Sequence, residues 1–191
     1  MSNDATKVST GKPKVGGAVY WAPYGTALPT DATTALNAAF KCLGFVSEDG
    51  LTNENSPETE DVKAWGGEVV ATLQSEKTDT FTFKLIESLN VDVLKAIYGS
   101  DNVSGTAISS GITVRANSEE VDPACWVFDM VMRGEAVKRI VVPNAKITEL
   151  GEIVYKDDEP IGYEPTLRAM PGDQAFDYDT HKEYIQSTES E

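Results

Sequence analysis

The sequence has only one histidine and two cysteines among its 191 residues. His181 lies in a polar stretch near the C-terminus, whereas a catalytic triad needs a base and an orienting group that converge on a nucleophile. Asp179 and His181 would share one side of a strand and could pair as metal ligands, but an exposed polar tail is the simpler interpretation. Cys42 and Cys125 lie in apolar segments and are expected to be buried free thiols. We therefore expect no catalytic residues, no metal site and no cofactor.

Basic side chains are also scarce. Sixteen Lys and Arg stand against 31 Asp and Glu, which gives a formal net charge of -15. Tight binding to nucleic acid requires clustered Lys and Arg that displace counterions from the phosphates, so this class of function is excluded. An acidic surface instead suits a polyanion that passes by without being held.

Long apolar runs are absent as well. No segment approaches the roughly 20 apolar residues of a membrane helix, and residues 1–14 lack the apolar core of a secretory signal. We therefore expect synthesis and folding in the cytoplasm, with no membrane partner. A hydrophobic content of 40% can form a core. The length predicts a single domain over 1–191, with a flexible N-terminal arm at 1–14 and a polar C-terminal segment at 172–191.

Alternating apolar and polar residues indicate antiparallel strands. The pattern is clearest at 68–75, where Val69, Ala71 and Leu73 share one face, and at 80–86, with a polar turn at 76–79 between them. Further strands are predicted at 15–21, 40–46, 112–116, 125–132, 137–142, 145–155 and 161–170, with a weak last strand at 181–186. The turn at Pro143 is expected to end a strand, because proline lacks the amide hydrogen that a central strand needs.

One helix is predicted after residue 90. Asn90 suits the N-cap, Asp92 suits the first turn and Gly99 suits the C-terminal cap. Leu94 and Tyr98 fall at helical spacing on an apolar stripe, which predicts packing against a sheet. The expected fold class is mainly β, an antiparallel β-sandwich or partly closed barrel with one packed α-helix.

Residues 47–63 read SEDGLTNENSPETEDVK, with six acidic residues, one lysine and no helical period. A long acidic loop is predicted here. Loops of this length in compact domains are usually functional or disordered, so it is either a solvated mobile loop or an arm that reaches a neighbouring subunit. The candidate inter-subunit contact residues lie in this segment or just after it: Glu48, Asp49, Leu51, Asn53, Asn55, Pro57, Glu58, Glu60 and Trp65.

A series of short motifs runs in order along residues 10–186. They are TGKPKVGGAVY at 10–20, AP at 22–23, GT at 25–26, LPT at 28–30, FKCLG at 40–44, SEDGL at 47–51, WGG at 65–67, ESLNVDVL at 87–94, PNAK at 143–146 and VYKDD at 154–158. In this order they resemble the tail tube (major tail) proteins of siphophages.

The resemblance implies a structural subunit of the virion tail. Such subunits form hexameric rings that stack into a tube, and the long loop at 47–63 would reach the adjacent ring. The implied partners are other copies of the chain, the tape-measure protein, the tail terminator and the distal tail protein, with genomic DNA in transit and not tightly bound.

Two other functions remain open from the residues alone. A monomeric β-sandwich module that binds carbohydrate or a cell surface would need an exposed aromatic platform, for which Trp21, Trp65 and Trp126 are the candidates. A hydrolase would need a convergent carboxylate pair. Glu119 and Glu120 are adjacent acids, but they lie in a predicted loop where charge stays solvated.

Overall fold

The computed structural model describes residues 3–172 and 179–187. Its helix and strands follow in chain order: β1 Lys12–Pro13, β2 Val19–Pro23, β3 Lys41–Cys42, β4 Val46–Lys63, β5 Val69–Leu85, α1 Val91–Tyr98, β6 Val103–Ser104, β7 Thr113–Val114, β8 Ala124–Val131, β9 Ala136–Leu150, β10 Pro165–Ala169 and β11 Lys182–Ser187. The predicted fold class, mainly antiparallel β with one packed α-helix, is confirmed.

Nine strands form one antiparallel sheet in the order β3-β2-β8-β9-β10-β5-β4, and β6 and β7 form a separate two-stranded ribbon. β1 pairs with the far end of β8, and β11 pairs with the first half of β9. Within the described residues the sheet is not closed, because β3 and β4 end its path at opposite sides.

The central strand β8 carries side chains into two apolar clusters. Trp126 and Phe128 lie in the main core, whereas Cys125 and Val127 lie in a smaller cluster with Phe40. Successive side chains of a strand point to opposite faces, so the two clusters cover the two faces of β8. This explains why the strand reads as a continuous apolar run and not as an alternating one.

A buried ion pair adjoins the smaller cluster. Arg139 and Asp129 are cross-strand partners on β9 and β8, and both are nearly inaccessible to solvent. Arg139 donates from Nε to Asp129 Oδ1 at 2.7 Å and from Nη2 to Oδ2 at 2.8 Å. Its Nη1 donates to the carbonyl oxygens of Asp31 and Thr34, so the pair holds the loop after β2 onto the sheet. Lys14 Nζ lies 3.5 Å from Asp129 Oδ2 on its exposed side.

The predicted helix is confirmed as α1. The Asn90 side chain accepts a hydrogen bond from the Asp92 amide at 3.0 Å, and Gly99 ends the helix with φ 88°. The buried face presents Val93, Leu94, Ala96 and Ile97 to the main core.

Two predictions around the acidic segment are wrong. Residues 47–63 do not form a loop but lie in strand β4, and residues 76–79 do not form a turn but lie within strand β5. β4 and β5 pair along most of their length as one long hairpin. Backbone hydrogen bonds form this ladder whatever the side chains are. A strand that is exposed on both faces therefore needs no alternation of apolar and polar residues. Residues 47–63 lack this alternation, so the sequence did not indicate a strand there.

The expected strand break at Pro143 is also wrong, because β9 runs continuously from Ala136 to Leu150. The pairing with β8 shifts at this point: Trp126 faces Val142, but Ala124 faces Ala145. Such a bulge accommodates a residue that has no amide hydrogen. Cys125 lies on β8 at this register shift, and its thiol donates to the Pro143 carbonyl oxygen at 3.1 Å.

Described segments near both ends of the chain contact the sheet. Lys12 and Pro13 pair with β8, and the Arg133 amide donates to the Ser9 hydroxyl at 2.7 Å. The weak last strand predicted at 181–186 is confirmed as β11. The rest of the polar segment predicted at 172–191, namely 173–178 and 188–191, lies outside the described residues. Among the described helices none is long and apolar enough to cross a membrane.

Candidate assembly surfaces

The β4–β5 hairpin projects away from the body of the protein. Every residue from 52 to 77 is exposed, whereas Asp79, Phe81 and Phe83 of β5 are buried. Asn55 faces Asp79 and Lys63 faces Val69. At about 3.3 Å per residue, the eight residue-to-residue steps from Asn55 to Lys63 extend the ladder by roughly 25 Å beyond the last buried side chain. The projecting part is therefore comparable in length to a small domain.

A buried carboxylate anchors the root of this hairpin. Asp79 accepts hydrogen bonds from Asn53 Nδ2 at 2.8 Å and from Thr180 Oγ1 at 2.5 Å, and its Oδ2 lies 2.6 Å from His181 Nδ1. Burial raises the pKa of Asp79, but the hydrogen bonds from His181, Thr180 and Asn53 outweigh it and leave the pKa below its ordinary value. The His181 ring also packs edge-on against Phe81. The carboxylate thus joins both hairpin strands to the segment that leads into β11.

The outer half of the hairpin, residues 58–76, is called the distal hairpin below. Its sequence is polar and acidic, but it also carries a concentration of exposed apolar side chains. Val62 faces Ala71 across the ladder, and Leu73 lies two residues further along the same face. Large apolar side chains exposed within this short stretch are Val62, Trp65, Val69, Val70 and Leu73. Contiguous exposed apolar surface marks an interaction site.

The hairpin turn holds Trp65 in solvent, where it is fully exposed. The Gly67 amide donates to the Ala64 carbonyl, and the Ala64 amide donates to the Glu68 carbonyl. Gly66 and Gly67 have φ of 119° and 93°, a region that side chains disfavour. The glycine pair therefore makes the tight turn possible.

The candidate contact residues lie along β4 except for Trp65. Leu51 is half-buried against the main core, and Asn53 is committed to Asp79 and to the Thr80 carbonyl. The remaining candidates are exposed: Glu48, Asp49, Asn55, Pro57, Glu58 and Glu60.

One set of exposed apolar residues differs from the expectation of a half-buried strand at 68–75. Val69, Ala71 and Leu73 were expected on a buried face, but all three are exposed. Alternation alone does not say whether the apolar face of a strand meets the same chain or another one.

β4 also leaves a strand edge open. It ends the path of the main sheet and, among the strands of residues 3–172 and 179–187, pairs only with β5. Its outward amide and carbonyl groups are a template for pairing with another chain. The acidic side chains along the edge make indiscriminate pairing unfavourable, which is a common protection of such edges.

A second apolar surface lies at the opposite end of the hairpin, beside its root. A groove of about 570 Å³ is formed by the segment after β1, by the residues around Phe45 and by the segment before α1. It is called the N-terminal groove below. Its lining consists of Pro13, Lys14, Val15, Gly16, Gly17, Ala18, Cys42, Gly44, Phe45, Val46, Glu87 and Asn90.

The groove has an apolar rim and a fixed acidic group. Val15 and Phe45 are largely exposed. Glu87 accepts hydrogen bonds from the Phe45 amide at 3.1 Å and from Asn90 Nδ2 at 3.0 Å. Gly44 has φ 75°, and a Cβ there would overlap the Glu87 carboxylate, so only glycine lets the chain pass this close.

A family model described as phage tail tube protein matches residues 1–180. The chain belongs to this family. It is therefore a structural component of the phage tail tube. Membership agrees with the resemblance that the ordered motifs indicate.

Solved structures and curated proteins add little to this family assignment. A cryo-EM structure of the anti-feeding prophage cap, a tube-terminating cap, is 11% identical with a TM-score of 0.44, and the match covers 98% of this chain and 100% of that one. No curated protein matches the sequence.

The described part of this tail tube protein contains no assembled site for the other two candidate functions, a carbohydrate or cell-surface binding module and a hydrolase. Trp126 is buried against Phe83, and its cross-strand partner Trp21 is partly buried against the main core. Trp65 lies apart from both at the hairpin turn, so the three tryptophans form no common exposed platform. Glu120 pairs with Lys146 and Glu119 accepts from Asn117. Within residues 3–172 and 179–187, no three His, Cys, Asp or Glu side chains are close enough together to hold a metal ion.

Proposed function

We propose that this tail tube protein polymerises into stacked hexameric rings that form the conduit for genome delivery, and that it has no enzymatic activity. The observation that carries the proposal is the β4–β5 hairpin, which is exposed from residue 52 to residue 77 and concentrates large apolar side chains in its distal half.

The distal hairpin exposes large apolar side chains that its own chain does not cover. Five large hydrophobic residues lie exposed between positions 62 and 73, and no core lies beneath them. Burial of apolar surface contributes about 25 cal/mol per Å². Covering these side chains with a neighbouring subunit therefore favours assembly. The open edge of β4 offers main-chain pairing in addition.

Contacts between subunits produce a tube when one interface closes a ring and a second interface stacks the rings. An interface between different surfaces closes into a ring if the rotation closes, and a second head-to-tail interface propagates as a filament. The hairpin would supply the contact between rings. Residues Glu48, Asp49, Asn55, Pro57, Glu58, Glu60 and Trp65 are proposed to contact the neighbouring subunit, while Leu51 and Asn53 hold the hairpin root.

The charge of the chain suits a conduit for DNA. Duplex DNA carries about one negative charge per 1.7 Å of axis, so a chain with a net charge of -15 repels it overall. Screening limits this repulsion to roughly 8 Å at physiological salt, so it acts in a narrow bore. The proposed partners are further copies of the chain, the tape-measure protein, the tail terminator and the distal tail protein.

Electron microscopy and light scattering of concentrated protein test the proposal. The wild type should form rings or tubes. A variant in which the distal hairpin, residues 58–76, is replaced by Asn-Gly leaves the paired residues Pro57 and Lys77 beside the new turn. It should stay folded, because the deleted residues contact no core, but it should remain monomeric. Normal tubes from the shortened variant would show that the hairpin is not the assembly element. A wild type that stays monomeric at every concentration and salt would contradict polymerisation itself.

A further inference from the structure

The two exposed apolar surfaces lie at opposite ends of one hairpin. Val46, the first residue of β4, lines the N-terminal groove, whereas Trp65 lies just beyond the last residue of β4. We propose that the N-terminal groove of one copy receives Trp65 and the distal hairpin of a second copy. This inference rests on the proposed function and names the surface that the hairpin would bind.

The groove has the size and chemistry to hold an indole ring. Its volume of about 570 Å³ falls in the range of pockets that enclose small molecules. Val15 and Phe45 border it with exposed apolar side chains. A tryptophan can bury roughly 150–250 Å², and tryptophans that fill such pockets are common energetic centres of interfaces.

The hairpin of the same chain cannot fill this groove. Leu51 and Phe83 pair near its root and Lys63 and Val69 pair near its tip. At about 3.3 Å per residue, the twelve residue-to-residue steps from Leu51 to Lys63 hold the tip about 40 Å from the root. The groove lies at the root, so an indole that enters it must come from another molecule.

The charges of the two surfaces are complementary. The distal hairpin carries five acidic residues, Glu58, Glu60, Asp61, Glu68 and Glu76, against Lys63 alone. Glu76 pairs with Arg168 of the same chain, so the other four acids offer their charge to a partner. Residues 5–30, which include the first wall of the groove, contain three lysines and no acidic residue. In a chain of net charge -15 this is an unusual basic stretch, and opposite potentials select partner and orientation.

Two charged groups of the groove already have partners. Lys14 lies 3.5 Å from Asp129, and the Glu87 carboxylate accepts hydrogen bonds from Phe45 and Asn90. Lys12, on the exposed strand β1, forms no ion pair among the described residues. Lys12 is thus the cation beside the groove that an acidic hairpin would meet.

Where all copies point the same way, a tip at one end of the molecule and a groove at the other end form a contact between two different surfaces. Each copy that donates its tip leaves its own groove free for the next copy. Such a head-to-tail contact propagates along a line. The same hairpin length would then limit the distance between successive copies.

Photo-crosslinking tests the contact directly. Trp65 is replaced by p-benzoylphenylalanine in the full-length chain, which is mixed with an equal amount of isotopically heavy wild-type chain before assembly. After irradiation, mass spectrometry should find adducts between light and heavy peptides at residues 13–18 or 44–46. The same probe at Tyr155, another exposed aromatic residue, should give no adduct there. Intermolecular adducts at other positions, in assembled tubes, would overturn the groove assignment.

A pair of surface substitutions gives an independent measurement. Phe45→Ser should raise the concentration needed for polymerisation about tenfold or more, as should Trp65→Ser, which is the size expected when a residue at the centre of an interface is truncated. Ile108→Ser is the matched control, because Ile108 is similarly exposed outside both surfaces, and it should assemble like the wild type. Urea unfolding of each variant checks that the subunit is intact.

The outcomes separate the two proposals. If Phe45→Ser assembles at the wild-type concentration while Trp65→Ser does not, the hairpin acts in assembly but binds elsewhere, and only the groove assignment fails. If the wild type forms no polymer under any condition, the proposed function fails and the groove assignment fails with it.

Discussion

The imidazole of His181 lies 2.6 Å from the carboxylate of Asp79, although 102 residues separate them in the sequence. Asp79 is almost fully buried where the hairpin leaves the body. The Asp79 carboxylate also accepts hydrogen bonds from the side chains of Asn53 and Thr180. The orientation of the hairpin therefore depends on the C-terminal segment as well as on the ladder between β4 and β5.

Replacing Asp79 with Asn should destabilise the subunit by about 1–3 kcal/mol at neutral pH, because charge-assisted hydrogen bonds to a buried carboxylate are lost. The folded-state pKa of Asp79 lies below its ordinary value. Its ionised form therefore contributes stability above the unfolded pKa of about 3.9, and this stability is lost as the pH falls through the folded pKa.

The difference in unfolding free energy between wild type and Asp79→Asn should accordingly shrink below about pH 4. Urea titrations at several pH values measure it. Glu54→Gln, an exposed neighbour on β4, is the control and should match the wild type. A difference in unfolding free energy that stays constant down to pH 2 would mean that ionisation of Asp79 does not contribute to the stability of the subunit.

Arg139→Met should be among the most destabilising single substitutions, at about 3–5 kcal/mol, because it leaves Asp129 buried with only the partly exposed Lys14 nearby. The double variant Arg139→Met with Asp129→Leu should recover much of this loss, since no uncompensated charge then remains. A double-mutant cycle in urea measures the coupling. Additive effects of the two substitutions would contradict a mutually dependent pair.

Asn90→Ala should cost about 1 kcal/mol of unfolding free energy, because the side chain caps the first turn of α1. The same side chain also donates to Glu87, so part of the loss reflects the wall of the N-terminal groove. Asn90→Asp keeps a capping oxygen and should restore the cap but not the donor to Glu87. Thermal or urea unfolding of both variants separates the two contributions.

Leu73→Ser should weaken polymerisation while leaving the stability of the monomer within about 0.5 kcal/mol of the wild type, as surface substitutions usually do. Leu73 is exposed on the distal hairpin, so its apolar surface contributes only when a partner covers it. Sedimentation of assembled protein against total concentration measures the first effect, and urea unfolding the second. A large loss of monomer stability would instead place Leu73 in contact with its own chain.

Stacked copies should repeat along the tube at no more than about 40 Å, the length of the ladder from Leu51 to Lys63 at 3.3 Å per residue. The axial spacing in images of assembled protein measures this distance. A clearly longer repeat would show that the tip of one copy cannot reach the root of the next.

Much of the secondary structure follows from local signals in the sequence. α1 has its N-cap at Asn90, its apolar stripe and its terminating Gly99 within ten residues. The buried part of β5 alternates between Phe81, Phe83 and Leu85 on the core side and polar residues on the other. In these elements the side chains that specify the structure are the ones that stabilise it.

The assembly surfaces are predictable only in part. The acidic composition of 47–63 marks the segment as unusual, but it does not show that the segment pairs with β5 over most of its length. The alternating residues of 68–75 predict a strand correctly, yet they do not show which molecule covers Leu73. The N-terminal groove has no signature in the sequence, because its walls come from separate parts of the chain.

By itself, the sequence determined the elements whose stability is local: the capped helix, the half-buried strands, the acidic charge and the ordered motifs of a tail tube protein. Only the tertiary structure decided that the acidic segment is a strand, that Asp79 meets His181, and that an apolar tip and an apolar groove lie at opposite ends of one hairpin. The reason is physical. Backbone pairing needs no side-chain pattern, and contacts between residues far apart in the chain exist only once the sheet has brought them together.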